Sequence, residues 1–146
     1  MTGTDIALLK KVLDRLIPRS GEMPGAGELG IADRLITELG KNDRLDRVFE
    51  LGLGQITAEA ERRGGPFAGL EAGAQDGVLR RVEADDAEFF AELIKQTYGG
   101  YYTDPKIMGL VGEETRPPQP SGHKIEQGDL SMLEAVRARG PIYRAP

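Results

Sequence analysis

Hydrophobic residues recur every three or four positions through most of the first hundred residues, which is the spacing of an amphipathic α-helix. The first segment with this spacing begins at Thr4, a residue type that caps helix N-termini, and ends before Pro18. A second segment runs from about Gly27 to Leu39. No segment alternates polar and apolar residues for long enough to indicate a β-strand. The pattern therefore predicts an all-α protein.

Three further helices are predicted before residue 100. They cover about Asn42–Arg63, Leu70–Val82 and Asp85–Gly100. The last of them opens with an Asp85 cap followed by Glu88 three residues later, as in a capping box. Gly52 and Gly54 lie inside the helix that Asn42 caps, and glycine costs about 1 kcal/mol relative to alanine in such a position. At these two glycines we expect either a break or the close approach of a neighbouring backbone.

The pattern changes after residue 100. Six of the nine prolines lie beyond that point, and hydrophobic periodicity returns only at Leu130, Leu133 and Val136, which indicates one short helix. We therefore expect a compact bundle of about five helices in residues 1–100. A long, mostly irregular arm in residues 101–146 is expected to pack on the bundle, on a partner subunit, or on both.

Composition narrows the classes of function. The 146-residue chain has a net charge of −5 and no basic run, so we expect no nucleic-acid partner. It has no cysteine, which removes thiolate metal sites and cysteine nucleophiles. Neither a signal peptide nor an apolar run of the roughly 18 residues that span a bilayer is found. We therefore expect a cytoplasmic protein without membrane insertion, and export together with a partner stays open.

Few residues are placed to carry chemistry. Gly25–Gly30 matches the dinucleotide pattern G-x-G-x-x-G, but no strand pattern precedes it, so a glycine-rich start of a helix is the better interpretation. His123 is the only histidine and lies in a Pro/Gly-rich loop. The adjacent carboxylates Asp85 and Asp86 do not converge as an acid–base pair does, and they are better explained as a cap. We expect no catalytic, cofactor-binding or metal-binding residue in this chain.

Aromatic residues are concentrated in one short stretch. Three of the four tyrosines lie within residues 98–102, close to two phenylalanines. Tyrosine buries a large area at low entropic cost, which suits a contact surface, and packing of the arm onto the chain's own bundle is the alternative. The P-x-x-P stretch at 116–120 is interpreted as a stiff spacer or as a ligand for an aromatic groove. The residues expected at a partner interface are Phe89, Phe90, Tyr98, Tyr101, Tyr102, Asp104, Pro105, Pro117, Pro118 and Tyr143.

Several short motifs occur together in an order that resembles a known family. They are Leu13-Asp14-Arg15-Leu16-Ile17-Pro18, Met23-Pro24-Gly25-Ala26, Glu28-Leu29-Gly30-Ile31, Leu51-Gly52-Leu53, Phe89-Phe90 with Thr97, and Tyr101-Tyr102-Thr103-Asp104-Pro105. In this combination the chain resembles subunit 3, the small subunit, of gluconate 2-dehydrogenase and of related flavin-dependent sugar and alcohol dehydrogenases. The resemblance extends over essentially the whole chain.

This resemblance implies a helical, non-catalytic subunit that binds a larger flavoprotein of the glucose–methanol–choline oxidoreductase type. The large subunit is expected to carry FAD and the chemistry, and no cofactor is expected in this chain. The arm from about Tyr101 onward is expected to supply much of the contact. Two other functions stay open, a stand-alone small-molecule-binding protein or enzyme and a self-associating structural protein.

Overall fold

The computed structural model describes residues 3–112, 128–129 and 131–140, and these residues form helices and turns without a β-strand. The α-helices are α1 (Gly3–Leu16), α2 (Ile31–Leu39), α3 (Asp43–Arg62), α4 (Ala72–Asp85), α5 (Ala87–Tyr102), α6 (Pro105–Leu110) and α7 (Glu134–Ala138). Short 3-10 turns occupy Ala26–Glu28, Phe67–Gly69 and Ser131–Leu133. The all-α prediction is confirmed. None of the described helices combines the length and the apolar character that crossing a bilayer requires.

The described residues belong to two compact units. Helices α1–α6 form the first, and α7 with the turn before it belongs to the second. In the second unit Leu133 and Val136 are 44% and 56% exposed, so the short helix expected there is present but buries little of its own apolar surface. In the first unit Tyr101 and Ile107 are buried, so this unit continues past residue 100, where the bundle was expected to end.

The core of the first unit is mostly aliphatic and draws on all six of its helices. Its larger members are Leu9, Val12, Leu13, Ile31, Leu35, Leu39, Phe49, Leu53, Ile56, Phe67, Val78, Leu79, Val82, Phe89, Leu93, Tyr101 and Ile107. Phe49 of α3 and Phe89 of α5 meet edge to face, with ring centroids 5.4 Å apart. Such a pair adds about 0.5–1.5 kcal/mol to the effect of area burial, which helps to fix α5 on α3.

Helix α3 is continuous through both of its interior glycines. At Gly52 the ring of Phe89 packs so tightly that a Cβ atom would lie closer than 3.0 Å to three ring carbons. At Gly54, no atom of the described residues outside the helix's own backbone lies within 4 Å of the corresponding position. Close approach was therefore the right alternative at Gly52, although a side-chain ring comes close there and not a backbone. At Gly54 the helix neither breaks nor is closely approached by another described part of the chain.

Several predicted helix boundaries differ from the observed ones. Helix α2 begins at Ile31 and not near Gly27, because Gly30 adopts a left-handed conformation with φ of 66° and separates the Ala26–Glu28 turn from the helix. Helix α5 is capped by Asp86, one residue after the expected cap, and the Asp86 carboxylate accepts a hydrogen bond from the Phe89 N–H at 3.0 Å. Differences of one or two residues at helix ends are common, so the first of these is the more informative.

The predicted end of α5 at Gly99-Gly100 was wrong, because the helix continues to Tyr102. A Cβ atom on Gly100 would lie 2.9 Å from a methyl group of Ile31. The missing side chain at Gly100 therefore lets α2 and α5 approach each other. It does not end the helix.

Candidate functional site: the outer face of helix α5

Helix α5 places a first row of residues against the core. Phe89, Leu93, Thr97 and Tyr101 follow one another at intervals of four, which puts them above one another on one side of a helix. All four are at most 2% exposed. The Thr97 hydroxyl donates a hydrogen bond to the Leu93 carbonyl at 2.6 Å. This buried hydroxyl is therefore paired within its own helix.

A second row lies directly beside the first. Phe90 and Ile94 are half-buried, whereas Tyr98 and Tyr102, further along the same row, are 43% and 54% exposed. Ala87 and Ala91 are exposed on the same side of the helix. We call these six residues the outer face of α5; they are Ala87, Phe90, Ala91, Ile94, Tyr98 and Tyr102.

The two rows make α5 unusually apolar around its axis. At about 100° per residue, the uncharged side of the helix spans about 220°, and the charged residues are confined to the remainder. Those charged residues are Glu88, Glu92 and Lys95. A helix that packs on a single core needs an apolar stripe only slightly wider than about 100°. The second row therefore extends beyond the core: Phe90 packs against the core in part, whereas Tyr98 and Tyr102 are exposed.

The exposed tyrosines are held in place by ring contacts. Tyr98 and Tyr102 are stacked, with centroids 6.0 Å apart and planes inclined by 24°. Tyr102 also meets Tyr101 edge to face at 5.2 Å. Within the described residues the hydroxyls of Tyr98 and Tyr102 form no hydrogen bond, so each keeps a free donor and acceptor. The outer face thus combines apolar rings with unused polar groups.

Tyr101 anchors this end of α5 from beneath. Its hydroxyl donates to the Pro24 carbonyl at 2.9 Å, and burial raises the pKa of the Tyr101 hydroxyl. Pro24 is followed by the glycine-rich turn, in which the Gly27 N–H donates to the Asp14 carboxylate at 2.8 Å. The end of α5 is therefore tied through this turn to α1.

The glycine-rich segment Gly25–Gly30 does not have the features of a dinucleotide site. A Cβ atom at Gly27 would overlap the Asp14 carboxylate, so the space that a phosphate needs contains a negative charge. The Gly25 N–H donates to the Glu28 carboxylate at 3.1 Å. Arg19 pairs with Glu28 and, with this backbone bond, holds the pKa of Glu28 below its ordinary range. The backbone donors are thus used within the chain, and the segment is a turn that packs on α1.

Two of the residues predicted for a partner interface belong to the core. Phe89 and Tyr101 are 0% and 2% exposed, and residues of the same chain cover them. The structure therefore corrects their assignment to packing, in which they support the outer face. Phe90, Tyr98 and Tyr102 lie on that face. Pro117, Pro118 and Tyr143 lie outside the described residues.

The two remaining predicted residues begin a helix that the sequence analysis missed. Asp104 caps α6, accepting a hydrogen bond from the Lys106 N–H at 3.0 Å, and its carboxylate lies 3.7 Å from Arg34. Pro105 occupies the first turn of α6. An aspartate followed by proline at the start of a helix is a recognisable signal. It was overlooked because the run of prolines further on favoured an irregular arm.

Acid–base and metal chemistry have little support among the described residues. Their His, Asp and Glu side chains form no group of three or more that could hold a metal ion. The most buried carboxylate of the described residues, Glu59, accepts hydrogen bonds from Arg63 and Arg62, which hold its pKa below its ordinary range. A carboxylate that is kept ionised by two arginines is suited to stabilising a helix surface and not to accepting protons near neutral pH.

Comparison with known proteins identifies the family. A model of the family described as gluconate 2-dehydrogenase subunit 3 matches residues 4–113, which include nearly all of α1–α6. No solved structure matches the chain. The match confirms the resemblance found in the short sequence motifs, and it covers about three quarters of the chain. The chain belongs to the gluconate 2-dehydrogenase subunit 3 family.

Proposed function

We propose that this chain is a non-catalytic accessory subunit that binds the larger, FAD-dependent subunit of a sugar or alcohol dehydrogenase through the outer face of α5. The observation that carries the proposal is the exposed end of the second row of that helix, where the stacked rings of Tyr98 and Tyr102 are 43% and 54% exposed. Membership of a family of dehydrogenase subunits supplies the class of partner.

The chemistry of the outer face suits a protein partner. Tyrosine is enriched at interfaces because it buries a large apolar ring and keeps a hydroxyl for hydrogen bonding. Tyr98 and Tyr102 are already stacked, so little side-chain entropy remains to be lost when a partner covers them. The exposed Ala87 and Ala91 are small and allow the partner's backbone to come close at the other end of the face.

The size of the outer face indicates that it is the centre of a larger contact. A stable interface buries about 800 Å² on each partner and involves about 20–30 residues on each side. Six residues of one helix supply only part of this. Binding energy is concentrated in a few aromatic anchors near the centre, which is the role we assign to Tyr98 and Tyr102.

The test is co-expression with a large dehydrogenase subunit encoded beside this chain, followed by size-exclusion chromatography and titration of the purified proteins. The wild-type chain is expected to elute in a stoichiometric complex. Tyr98→Glu combined with Tyr102→Glu is expected to raise Kd by about 30-fold or more, because hot-spot losses exceed about 2 kcal/mol. Leu51→Glu is the matched control, since Leu51 is 61% exposed but lies on α3, outside the outer face. It should bind as the wild type does.

Three results would contradict the proposal. If the double variant binds the large subunit as the wild type does, the outer face of α5 is not the contact surface. If the wild-type chain and the large subunit elute separately at micromolar concentration, the chain is not an accessory subunit of that protein. Turnover of a sugar by the isolated chain would favour the stand-alone enzyme.

A further inference from the structure

A second apolar feature lies where α1 and α3 meet the Phe67–Gly69 turn. It is an open cavity of about 290 Å³ lined by Ala7, Leu8, Phe67 and Ala68, among others. Phe67 is 2% exposed, so its ring is part of the core and gives the cavity a firm wall. Leu8 is half-buried, and the two alanines are exposed at the surface.

The size and lining of this cavity restrict what can occupy it. Cofactor and drug-sized ligands use cavities of about 300–1,000 Å³, and this open cavity of about 290 Å³ lies at the lower end of that range. The one hydroxyl in the lining belongs to Thr57, and it donates to the Leu53 carbonyl at 3.0 Å. Apart from Thr57 and the charged residues Lys11 and Glu61, the lining contains no polar side chain. The cavity suits an apolar group of about the size of one large amino-acid side chain.

Charges of opposite sign lie at the same cavity. Lys11 and Glu61 both line it, and neither side chain takes part in an ion pair or hydrogen bond within the part of the chain that the structure describes. Neighbouring charges behave differently, since Lys10 pairs with Asp33 at 2.8 Å and Glu59 pairs with Arg63. The cavity is therefore flanked by one cation and one anion that are available to an occupant.

The pair of charges favours a polypeptide over a free amphiphile. A fatty acid would be attracted by Lys11 but repelled by Glu61. A cationic amphiphile would be attracted by Glu61 but repelled by Lys11. A polypeptide segment can present an acidic and a basic residue on either side of one apolar side chain. Complementary charges of this kind set the orientation of a contact more than its strength.

We infer that this cavity receives one large apolar side chain of the partner subunit, flanked by an acidic residue that faces Lys11 and a basic residue that faces Glu61. The inference rests on the proposed function, because the partner is the large dehydrogenase subunit. The cavity gives the complex a second anchor in addition to the outer face of α5. An apolar side chain seated in a preformed pocket is a common form of interface hot spot.

The first experiment fills the cavity and reverses its charges. Ala68→Phe, Lys11→Glu and Glu61→Lys are each expected to raise Kd for the large subunit by about 10-fold or more. Lys41→Glu and Glu83→Lys are the matched controls, since both residues are exposed and line neither the cavity nor the outer face of α5. The controls should bind as the wild type does. Circular dichroism melts of every variant show whether the fold is kept.

The possible results separate the two proposals. If the wild-type complex forms and all three cavity variants bind like the wild type, the cavity inference is overturned and the proposed function stands. If the wild-type chain forms no complex with the large subunit, the proposed function fails and the cavity inference fails with it.

A second experiment identifies the occupant directly. A photo-crosslinking p-benzoylphenylalanine is placed at position 68 of the full chain in the complex, and the attached peptide is mapped by mass spectrometry. Attachment to a segment of the large subunit with an apolar residue between opposite charges supports the inference. Attachment to a second copy of this chain or to a lipid, or no attachment, overturns it.

Discussion

At the scale of single residues, Gly52 shows how one missing side chain positions a helix. A methyl group at this site overlaps the ring of Phe89, so Gly52→Ala is expected to destabilise the fold by about 1–3 kcal/mol through overpacking. Gly54→Ala is the matched control in the same helix, where an added Cβ atom would meet no other described part of the chain within 4 Å. It is expected to stabilise by up to about 1 kcal/mol through helix propensity. Urea denaturation measures both, and two changes of the same sign would contradict this account.

Glycine is also the residue whose role was hardest to predict. Gly52 and Gly100 each accommodate a side chain from another helix, whereas Gly30 separates a turn from a helix through a positive φ. The sequence shows the same letter in all three positions. What distinguishes them is the neighbour in space, Phe89 or Ile31 in two of the cases, and a local pattern carries no information on it. The cap at Asn42 was predicted correctly because its partner, the Leu45 N–H, is only three residues away.

At the scale of helices, an ion pair between α1 and α4 makes stability depend on pH. Arg15 donates to both carboxylate oxygens of Asp76, at 2.6 and 2.8 Å, and this holds the pKa of Asp76 below its ordinary range. A carboxylate with a lowered folded-state pKa stabilises the fold above its unfolded pKa, near pH 4, and loses that contribution as pH falls through the folded-state value. We therefore expect Tm to fall progressively below about pH 4.

The contribution of this pair is tested by removing either partner. Asp76→Asn and Arg15→Gln should each give a shallower decrease of Tm below about pH 4 than the wild type shows. Part of the decrease should persist, because the pKa values of Glu28 and Glu59 are also lowered by arginines. Thermal melts between pH 7 and pH 3 measure the slope. Wild-type slopes in both variants would show that the pair is not coupled to folding.

Periodicity predicted α5 but left its orientation undetermined. Phe89 with Leu93 and Phe90 with Ile94 are two adjacent rows of similar hydrophobicity, and either could face the core. The structure resolves this through α3, where Gly52 leaves room for the ring of Phe89. The outer face of α5 is thus a consequence of a contact between residues 37 positions apart. This is why Phe89 and Tyr101, both predicted at a partner interface, lie in the core, while the interface assignment of Tyr98 and Tyr102 stays a prediction.

At the scale of the whole molecule, the boundary of the first unit decides which truncations fold. A chain that ends after Gly112 keeps every helix of this unit and is expected to retain its helical circular dichroism. A chain that ends after Gly100 loses Tyr101 and Ile107, which are 2% and 0% exposed, and the bond to Pro24. Removal of a large buried side chain costs about 2–5 kcal/mol, against a total stability of about 5–15 kcal/mol.

The shorter chain is therefore expected to be largely unfolded at 25 °C, and thermal melts compare the two. Equal melting temperatures would show that residues 101–112 do not belong to the core. For this reason the contribution of the arm to partner binding is measured with the chain that ends after Gly112. A truncation at Tyr101, where the arm was expected to begin, would remove part of the bundle as well.

The contact of Gly52 with Phe89 also has a consequence for the family as a whole. Two positions that share one space are expected to vary together, with the sum of their side-chain volumes nearly constant. Family members with alanine or serine at the position of Gly52 should then carry a smaller residue than phenylalanine at the position of Phe89. Where they do, the adjacent row of α5 can turn inward, and the surface that meets the large subunit would differ between branches of the family.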